Sequence, residues 1–314
     1  MASCHVPVTA DITCLCSCQV EFIRALTTAY SRPTPSLRPR PRPPSGADMA
    51  NPRIHKSFDF IWETSFELLE GVLTNKKLDL ETLDQYGNTC LMAAAESGQE
   101  DAVELLLQHG ARVHGRGADS AFPLLLAAYN DHGSVASLLL SHGAYVNTAD
   151  DEGHTSLMLA SLNGNVDVIK TLLAYNPRLE SRTNSGCTAL MLTARFGHTA
   201  AARLLLSRGA HVDAADNSGV TPLIAASRAG HVDLIELLIS HNANVRRCQC
   251  EGRTALAEAA ARGQHRAVCA LAAHASPAAR SAARDAAAAA GHGAIARWLS
   301  LTNNPKPTPP RSPR

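Results

Sequence analysis

Cysteine and histidine have the widest chemical reach in this 314-residue chain, which carries nine of the first and fourteen of the second. Cys14-Leu15-Cys16-Ser17-Cys18, with Cys4 and His5 upstream, offers donors for a soft metal. Its one-residue gaps are too tight for a zinc-finger hairpin. Cys248-Gln249-Cys250 has no further ligand type close by in sequence and reads as two free thiols. The odd cysteine count, without dense spacing, indicates a reduced intracellular protein, cytoplasmic or nuclear, rather than a secreted disulfide scaffold. The histidines recur in phase, His198 and His231 after a glycine, His109 and His142 before the next one. That phase assigns them to helix caps and turns. No nucleophile elbow, phosphate-cradling glycine loop or His-Glu-x-x-His stands in the chain. The sequence therefore offers no catalytic residue, no metal site and no cofactor site, and it reads as a non-enzymatic protein.

The phase itself points to the elements. Gly87-Asn88-Thr89, Gly153-His154-Thr155, Gly186-Cys187-Thr188, Gly219-Val220-Thr221 and Gly252-Arg253-Thr254 share one pattern, and from Thr155 to Thr254 the step is 33 residues. The gap from Thr89 to Thr155 is two steps, with Phe122 at the midpoint of a degenerate unit. Leu91, Leu124, Leu157, Leu190, Leu223 and Leu256 keep the register, as do Leu106, Leu139, Leu172, Leu205, Leu238 and Leu271. Each unit reads as two antiparallel helices and a turn. In 219–251, Thr221 caps a helix with Pro222 at its first position. Gly230 ends that helix. Val232 to Ser240 then places Leu234, Ile235, Leu237 and Leu238 on one apolar stripe. An aromatic content of 4% with abundant Ala and Leu also favours packed helices over a β core.

Thr221-Pro222-Leu223-Ile224-Ala225-Ala226, Gly230-His231 and Leu237-Leu238 resemble the ankyrin repeat. The resemblance runs over roughly residues 58–300 and implies an all-α solenoid of stacked helix-turn-helix units with β-turn tips, six repeats plus terminal caps. The family's His after Leu is replaced throughout by Met92, Leu125, Met158, Met191, Ile224 and Ala257, so burial must stand in for its hydrogen bonds. The expected layout is a disordered Pro/Arg-rich head, 1–56, then a repeat domain, 57–302. Within the domain fall a cap, 57–86, repeats at about 87–119, 120–152, 153–185, 186–218, 219–251 and 252–279, and a short cap, 280–302. A disordered tail, 303–314, follows. Trp62, Phe66, Leu69 and Val72 would face inward from the first cap, and Trp298 would seal the other end. The second unit is the weak point: it carries Ser120, Phe122 and Asp131 where its neighbours have Gly, Thr and Gly. Asn176-Pro177 likewise replaces Gly-Ala, and local distortion is expected there. Met49 just before the repeats is a position from which a shorter product could begin.

Residues 57–302 carry 19 Lys/Arg against 25 Asp/Glu, an acidic body that disfavours nucleic acid. No apolar run approaches the ~20 residues of a membrane span. The partners expected are one or more proteins or peptide segments bound by a monomeric chain. The resemblance implies binding along the concave face. There the tips contribute Gln85, Tyr86, Asp119, Asp151, Glu152, Asn184, Asn217 and Glu251. The residues before the caps are Asn88, His154, Val220 and Arg253. The inner-helix ends add Glu96, Tyr129, Asn130, Leu162, Asn163, Arg195, Phe196, Arg228 and Arg262. Tyr129, Leu162 and Phe196 are expected as an exposed apolar row. Glu96, Asp119, Asp151 and Glu152 at one end, against Arg195, Arg228, Arg253 and Arg262 at the other, would orient a partner. The expected role is a scaffold or adaptor. The alternatives are a substrate-recruiting subunit of a ubiquitin ligase, or an inhibitor that masks a partner. Pro39–Pro44 and Pro307–Arg311 resemble polyproline ligands, and Thr308-Pro309 and Ser312-Pro313 suit proline-directed phosphorylation. The resemblance also makes Asn147 and Asn244 hydroxylation positions.

Overall fold

The computed structural model describes residues 79–84, 87–117 and 120–301. Backbone contacts divide the chain into Met1–Leu78 and Asp79–Arg314, and every described residue belongs to the second unit. The metal-type cysteines near the start, the aromatic cap residues, both Pro-rich arms, Gln85, Tyr86 and Asp119 lie outside the described residues.

Fourteen helices and no strand occur among the described residues. Inner helices are α1 (Cys90–Ser97), α3 (Pro123–Tyr129), α5 (Ser156–Asn163), α7 (Ala189–Phe196), α9 (Pro222–Ala229), α11 (Ala255–Ala261) and α13 (Pro277–Ala289). Outer helices are α2 (Glu100–Gln108), α4 (Gly133–Ser141), α6 (Val166–Ala174), α8 (Thr199–Ser207), α10 (Val232–Ser240), α12 (His265–Ala272) and α14 (Gly293–Leu301). Inner packs on inner and outer on outer, repeat after repeat, in a solenoid. The twelve in-phase leucines are the core, none more than 3% exposed. The six residues that replace the family's histidine are buried with them.

Most inner helices start or stop for local reasons. Thr89, Thr155, Thr221 and Thr254 accept the N–H groups of Met92, Met158, Ile224 and Ala257 at 3.3–3.4 Å. At the other end a left-handed glycine follows α1, α5, α7 and α9. The glycine also makes room. A Cβ on Gly164 would stand 2.3 Å from Nδ1 of His198, and one on Gly197 would stand 2.7 Å from that of His231. These rings are inter-repeat staples: Nε2 of His132, His198 and His231 reaches the carbonyls of Glu96, Leu162 and Arg195 at 3.0, 2.9 and 3.3 Å.

The second unit keeps the repeat geometry rather than losing it. Ser120 (φ 56°) and Asp131 (φ 65°) adopt the left-handed conformation of the glycines they replace, and Asn176 (φ 49°) does the same in the next connection. Asp131 carries a Cβ where an imidazole would otherwise enter. The following repeat places Asn165 there, and its shorter amide reaches the carbonyls of Ala128 and Tyr129 at 2.9 and 3.1 Å.

The last pair departs from expectation in register. α13 begins at Pro277, with Ser276 as its cap accepting from the Ala279 N–H at 3.2 Å, so the boundary expected at 279/280 falls inside a helix of 13 residues. Ile295 and Leu299 close this end of the core, whereas Trp298 is half-buried.

Candidate functional site

Residues 33 apart in a solenoid form columns across the stack. Glu96, Tyr129, Leu162, Arg195 and Arg228 are such a column in the last turns of α1, α3, α5, α7 and α9. Phe196 and Arg262 lie in the column beside it. The column therefore does run from acid through apolar to basic residues. Its middle is less exposed than expected. Leu162 is 8% exposed, and Tyr129 and Phe196 are half-buried. The cause is the staple from the following repeat. His198 binds the Leu162 carbonyl and sets its ring 6.4 Å from that of Phe196, while Asn163 Nδ2 donates to the Tyr129 carbonyl at 2.8 Å.

The tips are partly self-satisfied. Asp151 pairs with Arg116 and accepts from the Ser120 hydroxyl. Glu152 stands exposed, 3.6 Å from Nδ1 of His154. Asn184 and Asn217 spend their amides on the carbonyls of Asp151 and Asn184, both at 3.0 Å, so they join repeats to each other. Most of the residues before the caps turn inward rather than facing the groove. His154 is 1% exposed, with Nδ1 3.1 Å from Asp150 Oδ2, and Asn88 and Val220 are buried too. Their backbone N–H groups donate to Asp84, Asp150 and Asp216 at 2.7–2.9 Å, a turn that turns the side chain inward. Arg253 alone of this series faces solvent.

At the basic end, two residues that the sequence reading passed over organise the site. Glu258, 2% exposed on α11, accepts from Arg228 Nε at 3.1 Å and from Gln249 Nε2 at 3.0 Å, and Arg253 Nη1 lies 3.6 Å away. Gln249 in turn accepts from Arg228 Nη2 at 2.8 Å. The signal was present: the positions in phase with Glu258 are Ala93, Leu126, Leu159, Leu192 and Ala225, all apolar. A single carboxylate in an apolar column needs a buried partner. Its consequence is that Arg228 is spoken for, so the charge gradient is weaker than a residue count implies. Arg195 has Cys187 Sγ 3.8 Å from Nη2, Glu96 accepts from Asn88 Nδ2 at 3.1 Å, and Arg262 is exposed at the end of α11.

Burial pushes the Cys90 thiol well up from its ordinary value, and that of Cys269 more modestly. Among the described residues no group of His, Cys, Asp and Glu could hold a metal ion, and no helix is long and apolar enough to cross a membrane.

Family models agree with this geometry. A model of ankyrin repeats in three copies matches residues 112–183 and 176–247, a single-repeat model matches 86–117, and a many-copy model matches 224–272. The α13–α14 pair lies beyond the matched residues. No curated protein matches the chain. With matches that together run from 86 to 272, twelve leucines in one 33-residue phase and stacked helix pairs throughout, the chain belongs to the ankyrin repeat family and its repeats are a protein–protein interaction module.

Proposed function

We propose that the chain is an adaptor that binds a partner segment across its inner-helix ends and hairpin tips. One observation carries the reading: the column Glu96–Tyr129–Leu162–Arg195, one residue per repeat, passes from acidic through apolar to basic, with exposed Arg262 in the column beside it. Half-buried Tyr129 and Phe196 add apolar surface, and exposed Glu152, Arg253 and Arg262 add charge at either end. Rigid aromatic and arginine side chains on helices are what interface hot spots use. Their helical support lowers the ordering cost of binding.

A second reading, masking of a basic signal, has support of its own. The described residues between 79 and 152 hold eleven Asp/Glu against two Arg. A partner that bridges both ends would present basic residues here and acidic residues near Arg253 and Arg262.

The test is site-specific photo-crosslinking in cells expressing the full chain. A photo-crosslinking amino acid in place of Asn163, which is exposed in the neighbouring column with Phe196 and Arg262, should capture a partner. The same group in place of Ser137, on the outer helix α4, should not. Phe196→Ala combined with Arg262→Glu should abolish that crosslink. Capture from position 137 alone, or a crosslink indifferent to the double substitution, would overturn the reading.

A further inference from the structure

The hairpin tip between the fifth and sixth repeats carries a pair of thiols that the inner-helix column does not use. Cys248, Gln249 and Cys250 stand in phase with Ala215, Asp216 and Asn217 and with Arg182, Thr183 and Asn184, so the tips before it hold no sulfur at these positions. Cys248 pairs with Thr254 in an antiparallel bridge, and the Gln249 N–H donates to the Arg253 carbonyl at 3.1 Å. Side chains alternate along such a backbone. Gln249, 7% exposed, points inward, and Cys248 and Cys250 both point to water.

The other described cysteines are shielded. Cys90 and Cys187 are buried, and burial raises the thiols of Cys90 and of half-buried Cys269. A rise of about 3.3 Å per residue holds Cα atoms two positions apart within about 6.6 Å, inside the span of about 4.4–6.8 Å that a disulfide closes. In the two tips before it, Asn184 and Asn217 use their amides to join one repeat to the last. Cys250 takes that place with a thiol, while its backbone N–H keeps the Ser218 carbonyl at 3.0 Å, so its sulfur can react without undoing the stack. Gln249 is the residue that closure must move. Its side-chain amide accepts from Arg228 Nη2 at 2.8 Å and donates to Glu258 at 3.0 Å, and its backbone carbonyl accepts from the Gly252 N–H at 2.8 Å.

We propose that Cys248 and Cys250 are a modification site at which hydrogen peroxide closes a disulfide within the tip. One cysteine attacks as its thiolate and breaks the O–O bond, leaving a sulfenic acid and releasing hydroxide, which takes up the proton of the first thiol to give water. The second thiol attacks that sulfur, the S–S bond forms, and the departing oxygen carries its proton away as another water. Two thiols are oxidised and one peroxide is reduced to two waters. The Cβ atoms of a disulfide stand about 3.8 Å apart, closer than same-face side chains two positions apart in extended backbone, so closure bends the chain at Gln249. The bend withdraws the amide from between Arg228 and Glu258 and leaves Arg228 Nη2 for a partner's carboxylate. That last consequence rests on the inner-helix column being the binding surface, whereas the disulfide does not. Strained, exposed disulfides are the readily reduced kind, so a thiol reductant restores the tip.

Peptide mass mapping of the full chain tests it, after hydrogen peroxide or dithiothreitol and alkylation of the remaining thiols. Trypsin cuts after Arg247 and Arg253, so the fragment 248–253 holds these two cysteines and no other. After peroxide it should appear unalkylated and two hydrogens lighter, and dithiothreitol should restore alkylation of both thiols. Hydrogen exchange at the Gln249 and Gly252 amides should quicken by about threefold or more on oxidation. Cys248→Ser should abolish both effects, and because that side chain is exposed the variant should melt with the parent. Four results would overturn the proposal: a fragment that gains oxygen without losing the hydrogen pair, a disulfide from either cysteine to any other cysteine of the same or a second chain, no reaction under conditions that fully oxidise free glutathione, or exchange at the tip unchanged in the oxidised chain.

Discussion

Glu258 shows at the residue scale how a single side chain redistributes the chemistry around it. A carboxylate only 2% exposed is matched by Arg228 and Gln249, which hydrogen-bond it, and by Arg253, which stands near. Breaking a buried pair leaves the other charge unmatched, at a cost of about 3 kcal/mol. Glu258→Ala should therefore lower the stability measured by urea denaturation by about that much, and Glu258→Gln by less, because the amide keeps an acceptor. Arg253→Ala, which removes an exposed and looser partner, should cost under about 1 kcal/mol. His198 makes a prediction about pH. Burial lowers its pKa below 6.5, the nearby His231 lowers it further, and the bond to the Leu162 carbonyl opposes both. The folded state thus binds its proton less readily than the unfolded state. Its contribution is complete above pH 6.5 and is lost as pH falls from there toward the depressed folded value. Thermal melts at pH 7.5 and 5.5 should show a smaller drop for His198→Gln than for the parent.

At the scale of the element, the repeat is held by pairs of positions in successive units. A glycine after the inner helix supplies both a positive φ and the space into which the next repeat's imidazole fits. Where the glycine becomes Asp131, the imidazole becomes Asn165, and the hydrogen bond to the preceding carbonyls survives. The substitution that looks like decay in one unit is answered in the next. Asn165→His alone should destabilise by about 1–2 kcal/mol through crowding against Asp131. Combined with Asp131→Gly it should recover most of that loss. A double-mutant cycle by chemical denaturation should give a coupling of about 1 kcal/mol or more, and independence of the two sites would sink the pairing.

For the molecule as a whole, stability is the sum of neighbour interfaces, so the ends matter out of proportion. α13 covers α11, and Ile295 and Leu299 of α14 close the core beyond it. This pair lies past the family matches, yet it is continuous with the stack. A chain ended at Ala275 exposes the α11–α12 face and loses these two buried side chains, worth about 1.5–3 kcal/mol each. It should lose about 3 kcal/mol or more in urea titration and elute from size-exclusion columns as a concentration-dependent oligomer. A truncated chain as stable and monomeric as the parent would show that α13–α14 is not a cap.

The 33-residue phase alone specifies the fold, because periodic leucines, capping threonines and glycines are local requirements that each unit must meet by itself. Helix ends such as Val232 and Ser240, the core leucines and the family all follow from it. Exposure did not follow. Leu162 and His154 sit at positions that a lone unit would leave open, and the neighbouring repeat or an Asp turn encloses them. Sequence marks Glu258 as a carboxylate that needs a partner, but not that the partner is Arg228, 30 residues back, nor that His114 and Tyr145 stack. Those contacts form between units, where distance along the chain says little. Only stacking decides which side chains face each other and which are left for a partner.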